Sequence, residues 1–307
     1  MKVALIGAGY MGRLHAEKFA ARADCKLVAI ADRDGARAEA LAQRLGSRAF
    51  DDWRLAIREA HAVVVAVPTE AHLEVAGGAL EAGKHVLVEK PIAVTLQEAD
   101  ALVSRAAKKQ LVLQIGHVER YNAAFSAMAK RMAQPVFIDA DRLSAFKQRG
   151  ADVDVVLDLM IHDLDLSLAL ARAPVREVKA CGFRVLTEDI DIANARIEFE
   201  DGCVANLSAS RVSQAPVRKL RVFQTDLYVS ADLHAGKLRY VREVNGAVDE
   251  TEEAYSGGDA LAVQATAFID AVLNRRSPPV SGEDGRRALA VALEVATLVR
   301  ERLGNVT

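Results

Sequence analysis

Short apolar runs alternate with amphipathic stretches through the first third of the chain. The apolar runs are residues 3–6, 61–67, 85–90 and 111–116. Helical patterns at about 70–82 and 95–108 separate the later runs. Uninterrupted apolar strands with helices between them indicate a parallel sheet that is covered on both faces. The pattern therefore predicts a doubly wound α/β domain that ends near residue 118.

The rest of the chain, residues 119–307, has a different pattern. Helical patterns are expected at 121–132, 156–171, 261–274 and 284–303. Strand-like segments are expected at 135–146, 178–186, 192–199, 203–212, 219–232 and 237–244. Turn signals such as Glu200-Asp201-Gly202 join several of these segments. Successive hairpins predict an α+β domain with a large, mostly antiparallel open sheet and helices on one face.

Composition narrows the class of protein. The chain has 307 residues, enough for two domains, and its formal net charge of −2 with no basic block argues against nucleic acid and anionic membranes as partners. No apolar run approaches the roughly 20 residues that span a bilayer. The first strand begins at once, which we interpret as leaving no room for a signal peptide. The cysteines, Cys25, Cys181 and Cys203, show no pairing pattern, as expected in the reducing cytoplasm.

The first apolar run meets three glycines in GxGxxG spacing. Gly7 permits a tight turn, Gly9 allows a pyrophosphate to approach the backbone, and Gly12 allows the following helix to pack closely on the sheet. A helix N-terminus there favours phosphate. Asp32 ends the next apolar run, where a carboxylate binds the adenosine ribose hydroxyls and repels a 2′-phosphate. The neighbouring Arg33 partly offsets that repulsion. We expect a Rossmann domain that prefers NAD to NADP.

Two further motifs carry candidate catalytic groups. Lys90, in Glu89-Lys90-Pro91, follows an apolar strand at the sheet edge where ligands bind, and its ammonium suits a substrate hydroxyl; a solvated lysine in a turn is the alternative. Asp158 and His162 share a helical face at i, i+4 spacing, as a general base and its carboxylate partner would. Acids near a helix start and a core histidine explain that pair equally well.

Polar groups at the domain junction are candidates for binding a sugar or phosphate. They are His117, Arg120, Tyr121 and Asn122, although Asn122 also suits a helix cap. Basic residues of the second domain are candidate diphosphate ligands: Arg142, Lys147, Arg149, Arg211, Arg218 and Lys219. We expect Asp163 and Asp165 to be solvated or capping residues. No spacing of metal ligands is present, so no metal is expected.

Ordered motifs along the whole chain resemble the Gfo/Idh/MocA family of nicotinamide-dependent sugar oxidoreductases. These motifs are GAGYMG at 7–12, VPTEAH at 67–72, EKP at 89–91 and the Asp158–His162 pair. The resemblance implies catalytic roles for Lys90, Asp158 and His162. It also implies a homodimer or homotetramer built through the second domain's sheet. The cofactor contacts it implies are Gly7, Gly9, Tyr10, Met11, Gly12, Asp32, Arg33, Pro68, Thr69, His72, Glu89 and Lys90.

Segments 115–125, 152–166 and 209–230 further resemble family members that oxidise the 3-hydroxyl of UDP-N-acetylglucosamine, whose ketone a transaminase converts to a 3-amino sugar. This implies that His162 accepts the hydroxyl proton, that Lys90 stabilises the oxygen, and that carbon 3 gives its hydride to NAD. Which of the two is the formal base stays open. Other sugar or inositol oxidation, redox-assisted glycoside cleavage and a non-catalytic dinucleotide sensor are the alternatives.

Overall fold

The computed structural model describes residues 1–146, 153–255 and 258–304. Two compact units divide them: Met1–Val118 with Asp259–Arg286, and Glu119–Gly258 with the chain from Arg287 onward. The sequence analysis placed 259–286 in the second domain, whereas the structure places this segment in the first unit. The reason is that helix α8 (Ala260–Leu273) packs on α1 (Tyr10–Ala20), where the rings of Phe268 and Phe19 meet edge to face at 6.3 Å.

The first unit contains a six-stranded parallel sheet. Its strands are β1 (Lys2–Ile6), β2 (Lys26–Ala31), β3 (Arg48–Phe50), β4 (Ala62–Val65), β5 (His85–Val88) and β6 (Leu113–Ile115). The spatial order is β3-β2-β1-β4-β5-β6, and every neighbouring pair is parallel. This order reverses between β1 and β4, which creates the crevice where doubly wound sheets bind ligands. The doubly wound prediction is confirmed.

Helices connect these strands. Besides α1 they are α2 (Gly35–Leu45), α3 (Trp53–Ala56), α4 (His72–Glu81) and α5 (Leu96–Lys108). A 3₁₀ turn, Thr69–Ala71, precedes α4. The start of α5 is a capping box, in which Thr95 and Glu98 each accept from the other's backbone N–H. The pattern analysis missed β3, α2 and α3. A three-residue edge strand and a one-turn helix carry too little periodicity to detect, whereas α2 has 11 residues between an Asp34 N-cap and a Gly46 C-cap, signals that the analysis overlooked.

The second unit contains an eight-stranded sheet. Its strands are β7 (Phe137–Leu143), β8 (Val175–Phe183), β9 (Ile192–Phe199), β10 (Val204–Ser210), β11 (Val217–Gln224), β12 (Leu227–Asp232), β13 (Lys237–Val244) and β14 (Ala247–Ala254). The order is β14-β13-β12-β11-β7-β10-β9-β8, and only the β7–β10 pair is parallel. The predicted antiparallel sheet is confirmed. The single segment expected at 219–232 is wrong, since residues 225–226 turn it into a hairpin.

Helices cover one face of this sheet. They are α6 (Ala123–Arg131), α7 (Ile161–Ala171) and α9 (Gly282–Gly304), whose first turn belongs to the first unit. Inward residues of the strands alternate with outward ones and pack on α7 and α9, which form the core of the unit with Phe199 and Met160 fully buried. None of the described helices combines the length and apolarity that crossing a membrane requires.

Candidate functional site

The glycine loop after β1 has the shape of a phosphate cradle. Gly7 has φ +93°, and a Cβ there would lie 2.4 Å from the carbonyl oxygen of Ala66; a Cβ on Gly12 would lie 1.8 Å from that of Gly7. Side chains are therefore excluded at both positions. Gly9 instead has nothing within 4 Å of its Cβ position, and no side chain caps the helix that follows. The loop leaves room and N–H donors for a dinucleotide pyrophosphate, so the residues present fit NAD.

Asp32 connects the end of β2 to this loop. Its Oδ2 accepts the backbone N–H of Ala8 at 2.7 Å, and its Oδ1 accepts that of Asp34 at 2.9 Å. Arg37 was not singled out from the sequence; its guanidinium lies 3.8 Å from Asp32 and 3.3 Å from Asp34. Arg33 is exposed. The Asp32 carboxylate thus lies beside the glycine loop. Helix α2 places the guanidinium of Arg37 near it, as a second cation besides Arg33.

The Glu89-Lys90-Pro91 segment leaves β5 at the same edge of the sheet. Its Lys90–Pro91 peptide is cis, and the N–H of Glu89 donates to the carbonyl of Val65 at the end of β4. The parallel register therefore carries the segment to the carboxyl edge where β1 delivers the glycine loop. Lys90 is half-buried, unlike the solvated lysine of the alternative interpretation.

Two buried histidines adjoin this segment. His15 of α1 donates from Nε2 to Oε1 of Glu89 at 2.6 Å. Burial raises the pKa of Glu89, but the hydrogen bond and charge of His15, with the charge of Lys90, outweigh it and hold the pKa below its usual value. His15 was missed because a histidine inside an amphipathic helix gives no local signal. Its distance from Glu89 in sequence hides the contact.

His72 has a structural place. The ring is 1% exposed, with Nδ1 2.9 Å from the carbonyl oxygen of Pro91 and Nε2 3.1 Å from that of Val67. Burial lowers the pKa of His72 and favours the neutral ring. These contacts tie the loop after β4 to the loop after β5. Pro68 and Thr69 lie in the first of these loops, at the carboxyl edge of the sheet.

In the second unit, Asp158 and His162 lie on one continuous helical segment, but not with the regular spacing expected. Residues Val156–Met160 form a π-helical turn, and α7 begins directly after it. Asp154 caps the turn, since its Oδ1 accepts the N–H groups of Val156 and Leu157 at 3.1 and 2.9 Å. Both candidate side chains are half-buried. A π turn widens the helix, and such turns recur at functional sites.

A buried charge cluster adjoins His162. Arg142 of β7 donates two 2.8 Å hydrogen bonds to Asp163 and one of 3.0 Å to Glu119. The two carboxylates outweigh the desolvation and raise the pKa of Arg142. The expectation that Asp163 and Asp165 are solvated or capping is wrong, since they are 3% and 2% exposed. Arg142 therefore anchors α7 to the sheet.

The polar residues predicted at the domain junction fall in different units. His117, fully buried, belongs to the first unit, whereas Arg120, Tyr121 and Asn122 belong to the second. Asn122 is the N-cap of α6, since its Oδ1 accepts from Ala124 at 3.0 Å and its amide donates to the Leu233 carbonyl. The capping alternative is thus the one that the structure shows.

The basic candidates also differ from one another. Arg211 is buried beside Asp191, and Arg218 is half-exposed and pairs with Glu119 at 3.2 Å. Lys219 is exposed on β11. Lys147 and Arg149 lie outside the described residues.

An open groove of about 740 Å³ lies elsewhere in the first unit. It runs past His85 at the start of β5 and is bordered by Lys109, Arg275 and Arg276. It therefore lies at the amino ends of the strands, whereas doubly wound sheets bind ligands at the carboxyl ends. The cofactor candidates are those of the glycine loop and not those of this groove.

Comparisons with known proteins agree with this geometry. Residues 1–117 match a family model described as "Oxidoreductase family, NAD-binding Rossmann fold", and residues 113–229 match the "GFO/IDH/MocA C-terminal domain". UDP-N-acetylglucosamine 3-dehydrogenase of Acidithiobacillus ferrooxidans is 38% identical across 97% of both chains, and its crystal structure superposes with a TM-score of 0.94.

More distant relatives share the architecture. Myo-inositol 2-dehydrogenase of Thermotoga maritima is 26% identical over 98% of this chain and 97% of its own. The structure of scyllo-inositol dehydrogenase from Lactobacillus casei, solved with NAD(H) and scyllo-inositol, has 20% identity and a TM-score of 0.84, covering 98% of this chain and 97% of its own, which supports the fold alone. On the family models and the full-length relative together, the chain belongs to the Gfo/Idh/MocA family of oxidoreductases, with an NAD-binding Rossmann domain at its N-terminus.

Proposed function

We propose that this protein oxidises the 3-hydroxyl of UDP-N-acetylglucosamine to a ketone, with NAD as the hydride acceptor. The observation that carries the proposal is the 38% identity, over 97% of each chain, to an enzyme named for that reaction. The identity extends through the second unit. This matters for the substrate, because most of the expected substrate-binding residues belong to that unit. The inositol dehydrogenases match at lower identity, 26% to 31%, and several over part of the chain only.

The first unit supplies the cofactor residues in this proposal. The glycine loop and the first turn of α1 bind the pyrophosphate, and Asp32 binds the adenosine ribose. Bound NAD supplies a nicotinamide carbon that takes up the hydride. Lys90 donates a hydrogen bond to the sugar oxygen and stabilises the negative charge that develops there.

The second unit supplies the proton acceptor. His162 takes the hydroxyl proton, since an imidazole titrates near neutral pH. Asp158 orients that imidazole or binds a neighbouring hydroxyl. Arg142 contributes indirectly, because its bonds to Asp163 fix the rotation of α7 next to His162. Lys90 remains the alternative base.

The assay must remove the ketone, because alcohol oxidation by NAD is uphill near neutral pH. Purified protein is incubated with UDP-N-acetylglucosamine, NAD, glutamate and a sugar 3-aminotransferase, and NADH is followed by absorbance. We expect turnover with this sugar, weak turnover with free N-acetylglucosamine and inositols, and a UDP-linked 3-amino sugar by mass spectrometry. Preferential oxidation of myo- or scyllo-inositol would overturn the substrate assignment, and sugar release without net NADH would indicate redox-assisted glycoside cleavage.

The chemistry of the proposed product also indicates which class of reaction consumes it. A 3-keto nucleotide sugar calls for a pyridoxal-dependent transaminase as the consuming reaction, which supplies 3-amino sugars for lipid A-type molecules. The three free thiols, Cys25, Cys181 and Cys203, suit a reducing compartment, so the proposal places the enzyme in the cytoplasm.

A homo-oligomer completes the proposal. On the sheet face opposite the helices of the second unit, Phe137, Phe223 and Tyr228 form a row across β7, β11 and β12, with ring centroids 5.6 and 4.8 Å apart. Phe223 is 36% exposed. The row lies at the ends of these strands, beside the turn at 225–226, and aromatic residues are enriched in interfaces. A second copy of this sheet is the occupant we propose, giving a dimer or tetramer.

A further inference from the structure

Strand β11 places two neighbouring cations, Arg218 and Lys219, on opposite faces of the eight-stranded sheet. Alternate residues of a strand point to opposite faces. Leu220 and Val222 are fully buried under the helices, so Arg218 lies on their face, whereas Lys219 lies on the open face. Arg218 is also the direct cross-strand neighbour of Arg142 on β7. The strand therefore brings Arg218 to the face of the sheet that α7 covers.

A chain of charged contacts joins Arg218 to the start of α7. Its Nη1 donates to Oε1 of Glu119 at 3.2 Å. The same oxygen accepts from Arg142 at 3.0 Å, and Arg142 donates two bonds of 2.8 Å to Asp163. Asp163 directly follows His162. The guanidinium of Arg218 is thus connected, through two side chains, to the residue next to the proposed proton acceptor.

The positive charge of Arg218 also acts on Asp163 without an intermediary. Burial raises the pKa of Asp163 above its usual value, and the charges of Arg142 and Arg218 offset only part of this rise. This electrostatic effect does not depend on the hydrogen-bonded chain. It indicates that the Arg218 charge lies near the first turn of α7.

The guanidinium of Arg218 is accessible, unlike that of Arg142. The side chain of Arg218 is 47% exposed, against 5% for Arg142. Glu119 engages only Nη1, and the edge formed by Nε and Nη2 makes no hydrogen bond within the part of the chain that the structure describes. In arginine, this edge is a fork that can bind two phosphate oxygens side by side.

The other basic candidates that the structure describes are placed differently. Arg142 and Arg211 are 4% and 5% exposed, and each lies against a buried carboxylate. Lys219 lies on the opposite face of the sheet. Among these described residues, Arg218 alone combines an accessible guanidinium edge with a connection to α7.

We propose that Arg218 binds the diphosphate of the nucleotide sugar. The assignment rests on the proposed function, in which carbon 3 of the sugar is oxidised beside His162. The diphosphate is attached at carbon 1, and carbon 2 alone separates these two carbons in the ring. A cation that binds the diphosphate therefore belongs near His162, where the contacts place Arg218. Glu119 holds one side of the guanidinium, which reduces the freedom lost when the anion binds.

Binding of uridine compounds to the protein saturated with NADH tests this without turnover. Isothermal titration measures the Kd of UDP, and displacement of UDP by millimolar uridine measures that of uridine. In Arg218→Met we expect the Kd of UDP to rise about 10-fold or more, because a hydrogen bond between charged groups is lost. The Kd of uridine should change less than twofold. Arg218→Lys should give an intermediate Kd for UDP, since it keeps the charge without the fork.

A double variant separates binding of the ligand from neutralisation of Glu119. In Arg218→Met/Glu119→Gln the carboxylate that needs a partner is gone, and we expect UDP to bind as weakly as in Arg218→Met. Arg176→Met is the matched control, because it breaks an exposed arginine–glutamate pair at the far edge of the same sheet. An unchanged Kd of UDP in Arg218→Met overturns the proposal. Recovery of the wild-type Kd in the double variant also overturns it.

Kinetics extend the test to the nucleotide sugar. In the coupled assay, the KM of Arg218→Met for UDP-N-acetylglucosamine should rise about 10-fold with kcat changed less than threefold, the pattern of a residue that binds without reacting. A loss of kcat at unchanged KM contradicts the assignment. A wild type that oxidises this sugar, with a variant that binds UDP normally, refutes the role of Arg218 alone. A wild type that oxidises inositols and binds no UDP refutes the proposed function and this role together.

Discussion

The carboxylate of Asp32 accepts a hydrogen bond from the backbone N–H of Ala8, at 2.7 Å, inside the glycine loop. One side chain at the end of β2 therefore shapes the glycine loop and, in the proposed cofactor site, carries the charge that faces the adenosine ribose. The guanidinium of Arg37 stands 3.8 Å from the same carboxylate, and Arg33 follows Asp32 directly. In that proposal the preference for NAD depends on the negative charge of Asp32, which has these two cations beside it.

Removing that charge should change the cofactor preference. In Asp32→Ser we expect kcat/KM with NAD to fall about 10- to 100-fold and that with NADP to rise, because a 2′-phosphate would meet Arg33 and Arg37 without the repulsion of Asp32. Steady-state kinetics with both cofactors measure this. Adding Arg37→Ala should abolish the gain with NADP. Glu39→Gln, which removes a charge from exposed α2, is the control and should leave the ratio unchanged; a variant at Asp32 that still rejects NADP would contradict the assignment.

Lys90→Ala and His162→Ala should each lower kcat about 10²–10⁴-fold, the range typical of a general acid–base group. Their melting temperatures should remain near that of the wild type, because both side chains are only half-buried. NADH binding, followed by fluorescence, should persist in His162→Ala. Lys108→Ala, which removes an exposed lysine from α5, serves as the control. Near-normal turnover in both alanine variants would remove these residues from the mechanism.

Arg142→Met should destabilise the second unit by about 3–5 kcal/mol, since Asp163 would keep a buried charge without its partner and Glu119 would lose the buried one of its two arginine partners. Urea unfolding measures the loss. Arg142→Met/Asp163→Asn should recover part of it, because one buried charge is then removed. Arg239→Ala breaks an exposed pair with Glu250 and should leave the urea midpoint close to that of the wild type. Equal costs for the buried and exposed variants would contradict the description of the cluster.

Asp191 gives a prediction about acid stability. Burial raises the pKa of this carboxyl, but N–H groups of Val185, Leu186 and Thr187, at 2.7, 2.6 and 2.9 Å, outweigh it and lower the pKa to about 2. A depressed carboxyl stabilises the fold above its unfolded pKa of about 3.9, and this contribution is lost as the pH falls towards 2.

Asp191→Asn should therefore cost about 2 kcal/mol near pH 7, and the difference from the wild type should shrink between about pH 4 and pH 2. Chemical unfolding at a series of pH values measures the difference directly. Glu188→Gln, at an exposed position of the same loop, should show neither the cost nor the pH dependence. A difference that stays constant to pH 2 would mean that the carboxyl's charge is not what stabilises the loop.

Phe223→Asp should reduce the molecular mass in solution, because it places a charge in the aromatic row proposed as the interface. Light scattering after gel filtration reports the mass, and circular dichroism checks that the sheet persists. Val263→Ser removes a 49% exposed apolar side chain from α8 in the first unit, and the mass should not change. A wild-type protein that is monomeric at micromolar concentration would end this part of the proposal.

The pattern of hydrophobic positions predicted helices and strands best where its periodicity extended over many residues. The strand at 192–199 and that at 237–244 have the bounds expected, and α5 and α8 begin and end within a residue of expectation. Several errors fall where few residues carry the signal, although the 11-residue α2 was also missed. Strand β3 has three residues, and β11 and β12 read as one segment because a two-residue turn interrupts the alternation only briefly.

The candidate site shows the same division. Gly7, Gly12 and Asp32 could be identified from the sequence because a tight turn and a ribose carboxylate each demand a particular residue at a particular spacing. The roles of Asp163 and Asp165 were misjudged, because burial depends on what the helix packs against. Arg142, which neutralises Asp163, is 21 residues away on a strand.

By itself, therefore, the sequence determined the class of each domain, the glycine-rich loop and the family, since each is encoded by residues near one another along the chain. Only the tertiary structure decided that 259–286 joins the first unit, that His15 meets Glu89 across 74 positions, and that a π turn carries Asp158. These features depend on distant segments being brought together by burial of apolar surface, which acts without regard to separation along the chain.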